Sequence, residues 1–118
     1  VERRHADARA PASGAARRDG ANPRLAVDCN FLRIGDFAVA TNPFELYLEY
    51  GQRIKARGPA AQTIAAQLSN GGEGYLPTAD AMSHGHYSAM PSNIKAGPEG
   101  GDLLVSQSLE HLSALWAE

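Results

Sequence analysis

The first pattern along the chain is a pair of apolar runs, "RLAVDCNFLRI" (24–34) and "DFAVATN" (36–42), on either side of Gly35-Asp36. Runs of this length, rich in Val, Phe and Ile and separated by a Gly-Asp pair, are typical of a β-hairpin. We therefore predict two antiparallel strands here. Cys29, in the middle of the first strand, is expected to be a small buried apolar residue.

The next segment, "PFELYLEYGQRIKAR" (43–57), has the spacing of an amphipathic helix. Asn42 and Pro43 suit the N-cap and the first helical position, and Gly58-Pro59 suits the end. One face is predicted to be apolar and the other to carry an i,i+4 ion pair; the residues are Phe44, Tyr47, Leu48 and Ile54, and Glu49 with Arg53. A short strand is predicted in 61–68, so the helix is expected to join two parallel strands.

Residues 69–101 hold seven glycines and three prolines, and we predict a long loop there. The last segment, "GDLLVSQSLEHLSALW" (101–116), spaces its apolar residues as an amphipathic helix does; they are Val105, Leu109, Leu112 and Trp116. The predicted fold class is α/β. It has a partial sheet with a β-hairpin, a βαβ crossover, a long glycine-rich loop and a C-terminal amphipathic helix.

Composition divides the 118 residues into two parts. Residues 1–24 carry six arginines against three acids and have no apolar periodicity, so we expect a disordered or loosely structured basic tail. Residues 25–118 carry five basic and ten acidic residues and are long enough for one core. Because the chain begins with Val1 rather than Met, we expect a processed product or a piece cut from a longer protein.

The net charge of −2 gives no support for a nucleic-acid or membrane partner. No apolar run approaches transmembrane length. An arginine-rich tail that binds nucleic acid is the weakest functional hypothesis, because acids interrupt the arginines and the body of the chain is acidic.

Candidate chemistry collects where the predicted strands end. In an open α/β sheet, ligands bind beyond the carboxyl ends of the strands, which here are Thr41–Glu45 and Ser69–Tyr75. Glu45 and Tyr75 are therefore expected in one crevice, as metal ligands or acid–base groups. Two plainer interpretations stay open: Glu45 as the partner of Asn42 in a capping box, and Tyr75 as a ring folded over the sheet edge.

Several of these pieces, taken in order, resemble the C-terminal part of the catalytic domain of the neutral/alkaline (non-lysosomal) ceramidases. "LRIGDFAVATNPFE" is similar to that family's strand entering a Pro-x-Glu turn, and five residues lie between Glu45 and "GQRIK". Asn70, Tyr75 and Thr78 match an Asn-x4-Tyr-x-x-Thr run, a second tyrosine comes at Tyr87, and "GP" at 97–98 precedes a final helix. The resemblance covers a little over half of the chain.

The resemblance implies a zinc-dependent amidase that cleaves the amide of an N-acyl sphingoid lipid or a related linear amide. It implies that Glu45 and Tyr75 are zinc ligands and that Tyr87 is a catalytic tyrosine facing the scissile amide. Two histidine ligands are expected upstream, from the remainder of the same catalytic domain. The family is secreted, periplasmic or at the cell surface, and the same is expected here if the resemblance holds.

The histidines of this chain do not replace the two that are expected upstream. His5 is in the tail and His111 is in the final helix. His84 and His86 form an "HGH" pair just before Tyr87, which we interpret as solvated polar residues of a flexible loop. The 118 residues alone are therefore expected to be inactive. The alternative function is a non-catalytic α/β interaction module that retains the fold without the activity.

Overall fold

The fold is seen in a computed structural model that describes residues 2–7 and 25–117. Within these residues the chain forms six strands and three α-helices. In chain order they are β1 (Glu2–Asp7), β2 (Asp28–Ile34), β3 (Phe37–Thr41), β4 (Glu45–Leu46), α1 (Leu48–Arg57), β5 (Gln62–Ala66), β6 (Tyr75–Leu76), α2 (Ala79–Ser83) and α3 (Pro98–Trp116). Two 3₁₀ turns, Tyr87–Ala89 and Pro91–Asn93, lie between α2 and α3.

The main sheet has the strand order β1-β2-β3-β5. Strands β2 and β3 are antiparallel and meet at Ile34 and Phe37, across a turn in which Gly35 has a φ of 60°. Strands β3 and β5 are parallel neighbours, with Phe37 opposite Gln62 and Thr41 opposite Ala66, and α1 connects them. The predicted hairpin, the predicted crossover and the α/β fold class are confirmed.

One face of the sheet carries the core. Alternate residues of β2, β3 and β5 are buried on that face, and α1 and α3 cover it; these residues are Cys29, Phe31, Ala38, Ala40 and Thr63. Cys29 is buried, as expected, and its burial, with a smaller contribution from the charge of Asp28, raises the pKa of the thiol to about 11. Because the pKa of the Cys29 thiol lies so far above neutral pH, the residue serves in packing rather than as a nucleophile.

The final helix, α3, contributes the longest buried stripe to this core. Its buried residues are Gly101, Leu104, Val105, Ser108, Leu112 and Leu115. The predicted residues Val105 and Leu112 lie within that stripe, while Leu109 and Trp116 are half-buried at its border. Arg33 fastens the far end of the helix, because its guanidinium lies 4.3 Å from the centre of the Trp116 ring and donates a hydrogen bond of 2.9 Å to the Leu115 carbonyl.

The predicted start of α1 is wrong. The helix begins at Leu48, not at Pro43, and Tyr47 is its N-cap residue. The backbone N–H of Asn42 donates to the carbonyl of Ala66, so the chain continues in extended form beside β5 after β3 has ended. The side chain of Asn42 is buried and accepts a hydrogen bond of 3.1 Å from the N–H of Phe44. This bond stabilises a turn and does not cap the start of a helix.

The later start also changes which residues of α1 face the core. Tyr50, Gly51 and Ile54 are the buried residues of the helix, whereas Leu48 is 70% exposed. Arg53 reaches Asp102 on α3 at 2.8 Å, so its ion pair is between helices and not with Glu49 as predicted. The predicted end of the helix is confirmed, because α1 stops at Arg57 with Gly58 as its C-cap residue.

Two segments that the sequence predicts to lack regular secondary structure do contain it. Segment 69–101 holds β6, α2, two 3₁₀ turns and the start of α3, so it is not a plain loop. The tail prediction fails for Glu2–Asp7, which pair with β2 in antiparallel register. Main-chain hydrogen bonds to a strand edge need no apolar periodicity, and so the pattern gave no sign of β1. Residues 8–24 lie outside the described residues, and the prediction for them stands as made.

None of the described helices combines the length and the apolar character that crossing a bilayer requires.

Contact between α1 and α3 can be tested at Gly101. A Cβ at this position would overlap the ring of Tyr50, whose hydroxyl donates a hydrogen bond of 2.8 Å to the Pro77 carbonyl. We expect Gly101→Ala to lower the free energy of unfolding by about 3 kcal/mol, because the ring must shift and lose a buried hydrogen bond. Urea denaturation measures this change.

The matched control is Gly100→Ala in the same turn of α3, where the nearest side-chain atom is the Cβ of Ala96 at 3.2 Å. There we expect a change within about 1 kcal/mol. Equal stability of the two variants would contradict the proposed close contact.

Candidate active site

Glu45 and Tyr75 are direct partners in a second, two-stranded sheet. Strands β4 and β6 run parallel, with Glu45 opposite Tyr75 and Leu46 opposite Leu76. Partners in a parallel ladder extend their side chains on the same face. The carboxylate and the phenol therefore lie next to each other, as the strand topology predicted, although they belong to a separate small sheet and not to the ends of β3 and β5 themselves.

The backbone of this small sheet is held by hydrogen bonds that do not involve either side chain. The N–H of Glu45 donates to the carbonyl of Gly74 at 2.9 Å, and the N–H of Leu68 donates to the carbonyl of Phe44 at 3.1 Å. Because Glu45 lies in β4, before α1 begins, the capping-box interpretation of this residue is wrong. The carboxylate is left available for other contacts.

The glycines before Tyr75 have different structural reasons. Gly74 has a φ of 77°, and a Cβ there would lie 2.8 Å from the carbonyl oxygen of Asn93. Gly71 has a φ of 157°, and a Cβ there would lie 3.1 Å from Pro43. At Gly72, by contrast, no atom lies within 4 Å of an added Cβ. Close approach of neighbouring segments thus accounts for the two outer glycines.

The same loop contains one residue with an unfavourable backbone conformation. Leu68 has a φ of 52°, a region that few side chains adopt, and nearby Asn70 has a φ of 57°, which asparagine adopts more readily than most residues. An ion pair of 3.0 Å between Glu73 and Lys95 ties the loop to the segment after the second 3₁₀ turn. Strained backbone of this kind persists where surrounding contacts hold it, and such places are often functional.

Tyr87, the third predicted site residue, meets Tyr75 directly. The two rings make an edge-to-face contact with centroids 6.4 Å apart and planes at 78°. The side chain of Tyr87 is 71% exposed, so its hydroxyl is open to solvent. The side-chain amide of Asn93 donates to the Tyr87 carbonyl at 2.7 Å and fixes the 3₁₀ turn that carries the ring.

Sequence reasoning missed one member of the cluster, Tyr47. The prediction placed it on the apolar face of a helix, but it is the half-buried residue that precedes α1, and its hydroxyl shares a hydrogen bond with that of Ser88. The only available signal was its position two residues after Glu45, which in an extended chain places both side chains on one side.

The charge of Glu45 acts on Tyr75. The pKa of the Tyr75 phenol is raised above its ordinary value, first by the Glu45 carboxylate and then by loss of solvent and by the phenols of Tyr87 and Tyr47. Two groups that both become negative disfavour each other's charged form. A cation bound between them would remove this repulsion, so these two oxygen donors fit two of the four zinc ligands that the resemblance implies.

The contacts of His84, His86 and His111 are with residues other than Glu45 and Tyr75. His84 is exposed, bonds the Asp80 carbonyl at 2.8 Å and stacks on His86 with centroids 6.1 Å apart. His111 of α3 stacks on Phe31 of β2, with ring centroids 5.2 Å apart. Within residues 2–7 and 25–117, no group of three or more His, Cys, Asp or Glu residues could hold a metal ion.

Comparison of the chain with protein-family models, curated proteins and solved structures gives no match. The likeness to the ceramidases therefore rests on the residues quoted above, and the roles of Glu45, Tyr75 and Tyr87 stay predictions.

Glu45→Gln should lower the pKa of Tyr75 in metal-free protein toward the usual value of about 10, because the largest cause of the shift is removed. Absorbance of tyrosinate across alkaline pH, with Tyr75→Phe subtracted, measures this pKa. With the pKa raised in the folded state, the unfolded chain releases this proton first. The free energy of unfolding therefore falls as pH rises from the ordinary pKa of tyrosine through the raised pKa of folded Tyr75. This fall should be smaller in Glu45→Gln.

Glu110→Gln on α3 removes the same charge elsewhere and is the matched control. If both variants leave the titration of Tyr75 where it was, the carboxylate and the phenol are not neighbours.

Proposed function

We propose that this chain is the C-terminal portion of a ceramidase-like zinc amidohydrolase. Its substrate would be the amide of an N-acyl sphingoid lipid or a related linear amide. The observation that carries the proposal is the pairing of Glu45 with Tyr75 in one parallel ladder, with the Tyr87 ring against that of Tyr75. Glu45 and Tyr75 come from separate segments of the sequence, on either side of α1 and β5, and they meet in the combination that the resemblance requires.

Glu45 and Tyr75 would hold the zinc ion through their side-chain oxygens, together with two histidines from outside these residues. When bound, zinc supplies a water of lowered pKa and polarises the amide carbonyl. To hold the metal Tyr75 would have to release its proton, so zinc affinity would increase with pH. The raised pKa of the phenol would extend that dependence to higher pH. The Tyr87 hydroxyl is exposed beside this pair and would donate a hydrogen bond to the oxygen that becomes negative during attack.

Exposed apolar side chains on the segments that build the site support an apolar substrate. Leu48 directly follows Tyr47, Leu68 lies in the loop before Tyr75, and Met90 follows the turn that carries Tyr87. Their exposed fractions are 70%, 50% and 45%. We infer that these three side chains together receive the apolar part of the substrate, since a contiguous apolar patch, unlike a single exposed residue, marks a ligand site.

The proposal is tested in the longer polypeptide that contains this chain. Purified protein should hold one zinc ion per active site, and Tyr75→Phe should lower kcat/KM for a fluorescent N-acyl sphingosine by at least about a hundredfold, since a ligand oxygen is lost. Zinc content and hydrolysis are measured together. Glu110→Gln on α3, which changes none of the candidate site residues, should keep both at the level of the unchanged protein.

The 118-residue chain by itself should bind zinc weakly and hydrolyse no amide. Turnover by this chain alone, or full activity of folded Tyr75→Phe in the longer polypeptide, would refute the assignment of the ligands. A longer polypeptide that folds and has neither zinc nor hydrolysis would instead indicate the alternative function, a non-catalytic α/β interaction module.

A further inference from the structure

We propose that the hydroxyls of Tyr47 and Ser88 form a positioning pair, which holds the Tyr87 ring against Tyr75. As a statement about catalysis this rests on the proposed function. As a statement about geometry it rests only on the contacts of the described residues.

The Tyr47–Ser88 hydrogen bond joins two segments of the chain that carry candidate site residues. Tyr47 comes two residues after Glu45, and Ser88 comes directly after Tyr87. Their side-chain hydrogen bond connects positions 41 residues apart in the sequence. A contact of this range fixes the 3₁₀ turn of Tyr87 relative to strand β4, and no contact within either segment can do so.

Tyr87 needs such a tether because burial does little to hold it. Its side chain is 71% exposed, and its ring touches Tyr75 only edge to face. An exposed side chain keeps its rotamer freedom unless the backbone beneath it is fixed. The side chain of Asn93 fixes the Tyr87 carbonyl from one side, and Ser88 is fixed through Tyr47 from the other.

The two tethers approach the turn from different elements. Asn93 belongs to the second 3₁₀ turn, and its neighbour Ile94 bridges to Tyr75 of β6. Tyr47 follows β4. The turn that carries Tyr87 is therefore attached to both strands of the small sheet, and the Tyr47–Ser88 bond is its side-chain link to the segment of Glu45.

The test uses proton NMR of the tyrosine rings in the 118-residue chain. An edge-to-face contact places ring protons in the shielding region of the other ring. We expect Ser88→Ala and Tyr47→Phe each to remove this upfield shift, and Ser88→Thr, which keeps the hydroxyl, to retain it. Ser106→Ala is the control, because this exposed serine bonds only the nearby Leu103 carbonyl among the hydrogen bonds described for it.

Unchanged ring shifts in both Ser88→Ala and Tyr47→Phe would overturn the proposal, and so would loss of the shift in Ser88→Thr together with Ser88→Ala. Two different variants are used so that misfolding of one, seen by circular dichroism, does not decide the result.

The catalytic consequence is measured in the longer polypeptide. Ser88→Ala should lower kcat about tenfold, with KM and zinc content little changed, because a donor that is displaced by a fraction of an ångström loses transition-state stabilisation. Ser88→Thr should restore the rate. Lost zinc would show that the pair supports the ligands instead, which contradicts a role through Tyr87. Altered ring shifts in a protein without any hydrolysis would uphold the geometry and refute the proposed function.

Discussion

The parallel pairing of β4 with β6 is the contact on which the candidate site depends. Each strand has two residues, too few to be stable by themselves. They persist because two buried side chains, Phe44 just before β4 and Leu76 within β6, anchor them to the core. The backbone before β4 also continues to bond the segment after β5. Whatever disturbs that pairing separates the carboxylate of Glu45 from the phenol of Tyr75.

The parts of the fold that could be predicted are those with a long local pattern. The hairpin around Gly35 and the stripe that includes Val105 and Leu112 have the periodicity of their elements, and tertiary contacts do not override it. The start of α1 could not be predicted, because Asn42 suits a helix cap locally, while its bonds to the distant Ala66 and Ser69 keep the chain extended. Elements of two to five residues in 69–101 lack enough sequence to show a period.

The candidate site was predictable to a similar extent. Adjacent parallel strands placed Glu45 beside Tyr75, and the family resemblance pointed to Tyr87 as well. The Tyr47–Ser88 pair could not be predicted, because the helical spacing puts Tyr47 on the apolar face of a helix and its partner lies 41 residues away. The unfavourable backbone conformation of Leu68 was equally hidden, since only a structure reveals a φ of 52° at a leucine.

The hydrogen bond from the Glu45 N–H to the Gly74 carbonyl has a consequence for how such a site can diverge. The main chain keeps the two positions opposite each other whatever side chains they carry. The side chains at these two positions can therefore change without removing the main-chain hydrogen bond that aligns them, so a substitution there alters the chemistry of the site before it alters the pairing of the strands.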